Sequence, residues 1–143
     1  MRSPESVLLA SSAESSNTLL VCSIYSDEKP LKRIAGSLDW RLKGFLSRFL
    51  VKGWITGEKN EFVYIPIHHQ GNMRHLLLVG LGETRESQTR TPSEKSGFLV
   101  RFGDTVRKLG FKKIAISSSC FEFIEKEELK KACSNMVEIE YAQ

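Results

Sequence analysis

The sequence has no apolar stretch that approaches the roughly 20 residues a helix needs to cross a membrane. Near the amino terminus the apolar residues form two short runs, 7–10 and 19–22, and Glu14 lies between them. The apolar region of a secretory signal peptide is longer and uninterrupted. We therefore expect a soluble, cytoplasmic protein that has no membrane partner.

Cysteine and histidine are scarce. The three cysteines, Cys22, Cys120 and Cys133, are odd in number, far apart and not in C-x-x-C spacing, which argues against a disulfide framework and a cysteine-built zinc site. We expect them to be reduced and partly buried. His68 and His69 are adjacent, so on a strand they point to opposite faces and do not share a metal ion. The sequence predicts no metal and no cofactor.

Motifs for catalysis and phosphate binding are also missing. Ser117–Ser119 have no G-x-S-x-G pattern around them, so no nucleophile is assigned. The Gly80-Leu81-Gly82 turn is not followed directly by a helix, as a G-x-G-x-x-G phosphate loop would be. It does follow a predicted strand, where open α/β sheets bind ligands. We favour a tight turn without a ligand and keep a ligand crevice as the alternative.

The chain has the size of one domain. It holds 143 residues, of which 41% are hydrophobic, and a domain of this length buries roughly 70% of its unfolded surface. No repeat or linker divides it, so we expect a single domain over 1–143. Residues 1–17 are rich in serine and predict a ragged start with one edge strand at 6–10.

Hydrophobic patterns predict an α/β fold, a mixed, largely parallel sheet flanked by helices. Residues 18–25 are almost all apolar or β-branched, as in a strand buried on both faces, and Pro66 predicts an edge strand. A helix between two apolar runs, 75–80 and 113–117, predicts parallel strands. The predicted strands are 18–25, 61–67, 75–80, 113–117 and 136–141, with a polar loop at 68–74. The predicted helices are 38–51 with a lead-in turn at 31–35 and Asp39 near its start, 92–109 between Thr91 and Gly110, and 122–132.

Positive charge is concentrated in the middle of the chain. The net charge is +4, but residues 29–113 hold 17 Lys and Arg against 7 Asp and Glu, whereas 121–143 hold 3 against 6. One interpretation is a face that binds a polyanion or a partner protein; a merely solvated surface is the alternative. The candidate residues lie on and next to the first predicted helix: Lys32, Arg33, Arg41, Lys43 and Arg48.

A set of motifs in fixed order resembles the amino-terminal domain of the leucyl aminopeptidase family. The motifs are LD at 38–39, LKGFLSR at 42–48, KGWITGE at 52–58, LLLVGLGE at 76–83 and the helix-to-strand segment 108–116. The resemblance covers about Thr18 to Ser117. It implies a three-layer fold similar to macro domains. Residues 121–143, an acidic helix and a last strand, depart from the family's pattern.

The resemblance also implies what the chain does not do. In this family two metal ions and all the peptidase chemistry belong to a second, carboxyl-terminal domain, whose N-T-D-A-E-G-R signature matches nothing in these 143 residues. No peptidase activity is expected. ADP-ribose binding is not favoured either, because the SDEKP segment after Tyr25 supplies no Asn-rich loop.

Three functions stay open. The first is a non-catalytic assembly module that binds itself or another protein, such as an aminopeptidase catalytic domain, with Trp40 and Trp54 as interface aromatics. The second is nucleic-acid binding by the basic central region. The third is binding of a small, nucleotide-like ligand at a macro-type crevice formed by Gly80, Leu81 and Gly82.

Overall fold

The computed structural model describes residues 17–28, 31, 33–69, 72–85, 90–117, 120–121, 123–133 and 138–142. The predicted edge strand at 6–10 lies outside them. Five strands and four helices are described, in the following order: β1 (Thr18–Ile24), α1 (Arg33–Arg41), α2 (Phe45–Val51), β2 (Phe62–His69), β3 (Asn72–Gly80), α3 (Pro92–Leu109), β4 (Lys113–Ser117), α4 (Lys126–Ala132) and β5 (Glu138–Ala142).

The strands form one mixed sheet in the order β2-β3-β1-β4-β5. β1 pairs in parallel with β3 and β4, β4 pairs in parallel with β5, and β2 is antiparallel to β3. β1 therefore lies at the centre, and its residues 19–22 are buried. Pro66 lies on β2, at the edge of the described sheet, where a residue without a backbone N–H is tolerated. Both sequence predictions are confirmed.

Helices cover both faces of the sheet because side chains of a strand alternate between the faces. On one face Leu19 and Val21 pack with the α3 and α4 residues Phe98, Phe102 and Leu129. On the other face a second apolar cluster joins β1, β2 and β3 to α1 and α2; its members include Leu20, Cys22, Leu38, Leu46 and Ile65. The result is the predicted three-layer arrangement.

The structure corrects the prediction of one helix over 38–51. α1 begins at Arg33, inside the expected lead-in turn, and ends at Arg41, and α2 begins at Phe45. Between them Lys43 and Gly44 have φ angles of 58° and 81°, which lie outside the α-helical range. The chain therefore turns between the two helices.

Asp39 stabilises this turn instead of the start of the first helix. Its carboxylate accepts a hydrogen bond from the backbone N–H of Ser47 at 3.0 Å and a second one from the Ser47 hydroxyl. Ser47 lies in the first turn of α2, where backbone N–H groups have no partner within the helix. Asp39 thus satisfies a donor of α2 and ties it to α1.

Other element boundaries also differ from the predictions. β2 and β3 extend into the predicted polar loop at 68–74 and leave two residues between them. α4 starts at Lys126 and not at Glu122, because Glu125 forms a reciprocal capping box with Glu128. β5 is described from Glu138, and the predicted start of this strand at 136 lies outside the described residues.

α3 and the cysteines follow the sequence predictions. Thr91 and Glu94 form a capping box, Pro92 opens the helix, and Gly110 closes it with a φ of 79°. Proline at the start and glycine past the end are typical of a helix of this kind. The three cysteines are free and buried.

Candidate functional site

The Gly80-Leu81-Gly82 turn lies at the carboxyl end of β3, as predicted, and its backbone is bonded to the protein. The N–H of Gly80 donates to the carbonyl of Glu61 at 2.7 Å, that of Leu81 to Ile24 at 3.0 Å and that of Gly82 to Gly57 at 2.9 Å. A phosphate cradle presents such N–H groups to the ligand. In this turn all three backbone N–H groups already donate to carbonyl groups of the protein itself.

The loop between α2 and β2 packs directly on the turn. A Cβ on Gly80 would clash with the Glu58 carbonyl and lie 2.8 Å from the Gly57 carbonyl carbon. The Glu61 carboxylate holds this loop, because it accepts from the backbone N–H groups of Thr56 and Gly57, both within 3.2 Å. Arg90, which is buried, donates to the Leu81 carbonyl at 2.7 Å. The turn is thus surrounded by the chain itself.

Asp27 joins the loop after β1 to the loop after β3. Its carboxylate accepts from the backbone N–H of Thr84 at 3.0 Å and from the Thr84 hydroxyl at 2.9 Å. The Thr84 hydroxyl lowers the pKa of Asp27, because a hydrogen bond to the carboxylate favours the charged form. These bonds connect the two loops at the end of the sheet where α/β folds bind ligands.

A Thr84→Val variant should raise the pKa of Asp27 toward its ordinary value, because the hydroxyl donor is lost. In the wild type the pKa of Asp27 is lowered, so the Asp27–Thr84 hydrogen bond stabilises the folded state fully at pH values above the pKa that Asp27 has in the unfolded chain, about 3.9. This contribution is lost as the pH falls through the folded pKa. An NMR titration of the Asp27 carboxyl carbon measures the shift. Thr105→Val, which removes a hydroxyl elsewhere, is the control, and an Asp27 pKa that is equal in T84V and wild type would contradict the assignment.

A second candidate site lies on α2 and the residues that follow it. The rings of Phe45, Phe49 and Trp54 form a row, with centroids 4.9 Å and 5.0 Å apart. The Arg48 guanidinium lies 5.9 Å from the centroid of Phe45, and the Lys52 ammonium 4.6 Å from that of Trp54. Both distances fall in the range of cation–π contacts. We call these five residues together with Val51 the aromatic–basic surface.

The large apolar side chains of this region are unusually exposed. Val51 is 88% exposed and Trp54 58% exposed, and Trp40, at the end of α1, is 83% exposed. Single exposed apolar residues are ordinary, whereas a group of them marks an interaction surface. Both predicted tryptophans are exposed, and their role as interface aromatics stays a prediction.

The predicted basic residues are placed around the same two helices. Lys43 lies in the turn between α1 and α2, Arg48 lies on α2, and both are exposed. Arg33 and Arg41 belong to α1, but their side chains, like the whole of Lys32, lie outside the described part of the structure. Sequence reasoning missed Lys52 and Val51, although the run FLVKGWI is more apolar than one buried helix face requires.

The opposite face of the sheet carries a groove between α3 and α4. Its volume is about 500 Å³, and its lining includes Leu99, Val100 and Ala132 with Glu128 and Lys131. Val100 is 61% exposed. Beside the groove the two helices meet closely at Gly103, where a Cβ would lie 2.9 Å from the Ala132 carbonyl carbon. No sequence pattern signals it.

Neither a metal-binding cluster nor a membrane-crossing helix occurs in the described part of the chain. No three His, Cys, Asp or Glu side chains there come together in a way that could hold a metal ion. Within the same residues, no helix has the length and apolar character that a membrane crossing requires.

A family model described as "Cytosol aminopeptidase family, N-terminal domain" matches residues 21–138. This is well over half of the 143 residues. The chain belongs to the cytosol aminopeptidase family. The match confirms the predicted resemblance and continues past Ser117, into the segment that was expected to depart from the family's pattern. No curated protein sequence matches the chain.

Solved structures of two kinds share the fold of this family member. A mutant of tomato leucine aminopeptidase is similar over 88% of this chain and 29% of its own, with a TM-score of 0.57 and 13% identity. The macrodomain of Mycobacterium tuberculosis DarG is similar over 94% of this chain and 91% of its own, with a TM-score of 0.59 and 13% identity. The chain thus spans less than a third of the tomato enzyme. At this identity the likeness shows the macro-type fold alone.

Proposed function

We propose that this domain is a non-catalytic assembly module of the cytoplasm, which binds protein through the aromatic–basic surface and Trp40. The observation that carries the proposal is the exposure of three large apolar side chains on or just after α1 and α2: Trp40 at 83%, Val51 at 88% and Trp54 at 58%. Tryptophan is the residue most enriched among those that dominate binding energy at protein interfaces. The aromatic–basic surface includes the cations Arg48 and Lys52, and their positive charge suits an acidic partner.

The non-catalytic part of the proposal is supported by where the family match falls. It falls on the N-terminal domain, and the resemblance assigns the metal ions and the peptidase chemistry to the other domain of the family. A catalytic domain of that family is therefore one partner to test. Binding of a nucleotide-like ligand at Gly80–Gly82 has less support, because the three N–H groups of that turn bond to the protein. Stabilisation by nucleotides in a thermal-shift screen would revive it.

Replacing both tryptophans by alanine should abolish assembly without unfolding the domain, since both side chains are mostly outside the core. Light scattering after size exclusion measures the mass of the wild type and of W40A/W54A, and a pull-down measures retention of a family catalytic domain. Tyr64→Ala, which removes an exposed aromatic from the other face of the sheet, is the control. A wild type that stays at 16.2 kDa and retains no partner would contradict the proposal.

Nucleic-acid binding is the second candidate, favoured by the presence of cations and aromatic rings on one surface. Proteins that bind single strands combine a basic groove with stacking side chains. A gel shift with single-stranded DNA at about 50 mM salt tests it, because phosphate contacts weaken steeply as salt rises. Binding that is lost in R48E/K52E would favour this function, and the absence of any shift at that salt concentration would remove it.

A further inference from the structure

The end of α2 forms an exposed tip at residues 51–54. Val51 is the last residue of α2 and is 88% exposed, Lys52 and Gly53 are exposed, and Trp54 is 58% exposed. Gly53 has a φ of 74°, and a Cβ on it would meet nothing within 4 Å. The chain therefore turns in open space and presents two large apolar side chains, one on each side of a lysine.

The bonds that close α2 hold this tip in place. The N–H of Gly53 donates to the Leu50 carbonyl at 3.1 Å, and that of Trp54 donates to the Phe49 carbonyl at 3.0 Å. These two bonds, together with the ring contact between Trp54 and Phe49, are typical of a helix closed by a left-handed glycine. The cap explains why Trp54 touches Phe49, yet it leaves more than half of the tryptophan exposed. A side chain that is already held in place loses little freedom when a partner covers it.

Positive charge around the tip is not balanced by nearby acids. Residues 40–57 contain four Lys and Arg and no Asp or Glu, and Asp39, just before them, is already hydrogen-bonded to the start of α2. In the part of the chain that the structure describes, no ion pair involves Arg48 or Lys52; the Arg48 guanidinium donates to the Lys43 carbonyl at 3.1 Å. Both cations are exposed, and residues four apart lie on one side of a helix. They can therefore pair with two carboxylates of one partner.

The rings of this surface are poorly arranged for stacking on nucleic-acid bases. Phe49 lies between Phe45 and Trp54, and the Lys52 ammonium lies over the Trp54 ring at 4.6 Å. Single-strand binding uses ring faces on which successive bases stack. The exposed Val51 adds an aliphatic contact and no such face. The surface thus favours a partner that offers apolar side chains and carboxylates.

We infer that the partner contributes an acidic segment that lies along the end of α2: its carboxylates pair with Arg48 and Lys52, and an apolar side chain covers Val51 and Trp54. This rests on the proposed assembly function and names the chemistry of the partner. Opposite charges across an interface speed association and select the partner, whereas a tryptophan that becomes covered supplies much of the affinity. Exposed charge pairs make the contact sensitive to salt.

A short peptide of alternating glutamate and leucine tests the inference, with Trp54 as the reporter. In Trp40→Phe, Trp54 is the only tryptophan, so its emission reports on the tip alone. The peptide should move this emission to shorter wavelength until binding saturates, and it should bind more weakly as salt rises. R48E/K52E in the same background should weaken binding about tenfold, because each exposed ion pair contributes a factor of up to about five.

Two controls isolate the charge at the tip. Lys108→Glu with Lys112→Glu changes the net charge by the same amount at exposed positions on and just after α3, and it should leave binding unchanged. A peptide with lysine in place of glutamate should not bind, and this comparison needs no charge variant of the protein. Circular dichroism checks that each variant is folded.

The contrary outcomes separate this inference from the proposed function. Equal binding of the two peptides, or R48E/K52E binding as tightly as K108E/K112E, overturns the acidic segment. Single-stranded DNA or phosphatidylserine vesicles that move the Trp54 emission when the glutamate peptide does not would overturn it as well. If no probe moves the emission although the wild type assembles or retains a partner, the acidic segment is wrong and the proposed function stands. If the wild type does neither, both fall.

Discussion

Replacing Gly80 by Ala should lower the free energy of unfolding by about 3 kcal/mol, the upper end of the usual cost of overpacking. The added methyl group would clash with the Glu58 carbonyl and lie 2.8 Å from the Gly57 carbonyl carbon. Neither atom can yield easily, because both belong to backbone that is held by bonds to Gly82 and to the Glu61 carboxylate. The loop must move away from β3, and the Gly80–Glu61 and Gly82–Gly57 bonds are then strained together.

Urea unfolding followed by circular dichroism measures this loss, together with the melting temperature. A loss of about 3 kcal/mol lowers the melting temperature by roughly 10 °C in a domain of this size. The stability loss also tests whether the loop at residues 57–61 fills the space above the Gly80–Gly82 turn, because the clash occurs only if the loop lies there. A G80A variant as stable as the wild type would mean that this space is open. The Gly80–Gly82 turn would then again be a candidate ligand site.

Replacing Gly103 by Ala should cost about 2 to 3 kcal/mol, for the same kind of reason on the other face of the sheet. The methyl group would clash with the Ala132 carbonyl, to which Arg107 also donates a hydrogen bond at 2.9 Å. α4 must then move away from α3 and weaken the packing of Leu129 and Cys133, which are buried there.

Gly97 provides the matched control, because it lies on α3 like Gly103 and a Cβ on it would meet nothing within 4 Å. Alanine is preferred to glycine inside a helix by about 0.5 to 1 kcal/mol. G97A should therefore be slightly more stable than the wild type, whereas G103A should be much less stable. Equal stabilities of the two variants in urea unfolding would show that α3 and α4 do not meet at Gly103.

Local signals in the sequence were sufficient for much of the fold. The continuous apolar run at 18–25 predicts a central strand because both faces of β1 are covered. Thr91, Pro92 and Glu94 predict the start of α3 because a capping box depends only on residues of that helix turn. Pro66 predicts the sheet edge because a missing backbone N–H acts locally as well.

The division between α1 and α2 depends on a contact that periodicity does not reveal. The apolar spacing continues through the turn at Lys43 and Gly44, so it is typical of one long helix. In the structure α1 ends at Arg41, and the Asp39 carboxylate accepts a hydrogen bond from Ser47, eight residues further along the chain. An aspartate at position 39 correctly indicated a residue that stabilises the start of a helix. The sequence did not show that this helix is α2 and not the helix to which Asp39 itself belongs.

The candidate sites show the same limit. Trp40 and Trp54 were predicted as interface aromatics, but the same residue type also serves in core packing, so sequence alone does not distinguish the two roles. The α3–α4 groove was not predicted at all, since it joins residues about 30 positions apart, such as Leu99 and Glu128. The Gly80–Gly82 turn was predicted, but the loop that fills the space above it comes from residues 57–61 of another part of the chain.

The most direct test of the assembly surface uses the protein's own fluorescence. Trp40 and Trp54 are its only tryptophans, and both are mostly exposed, so the emission of the dilute protein reports on this surface alone. Emission wavelength and acrylamide quenching should be measured alongside the mass over a concentration series. We expect the emission to move to shorter wavelength and the quenching to weaken over the concentrations at which the mass rises above 16.2 kDa. A mass that rises while tryptophan emission and quenching stay constant would contradict assembly through the two tryptophans.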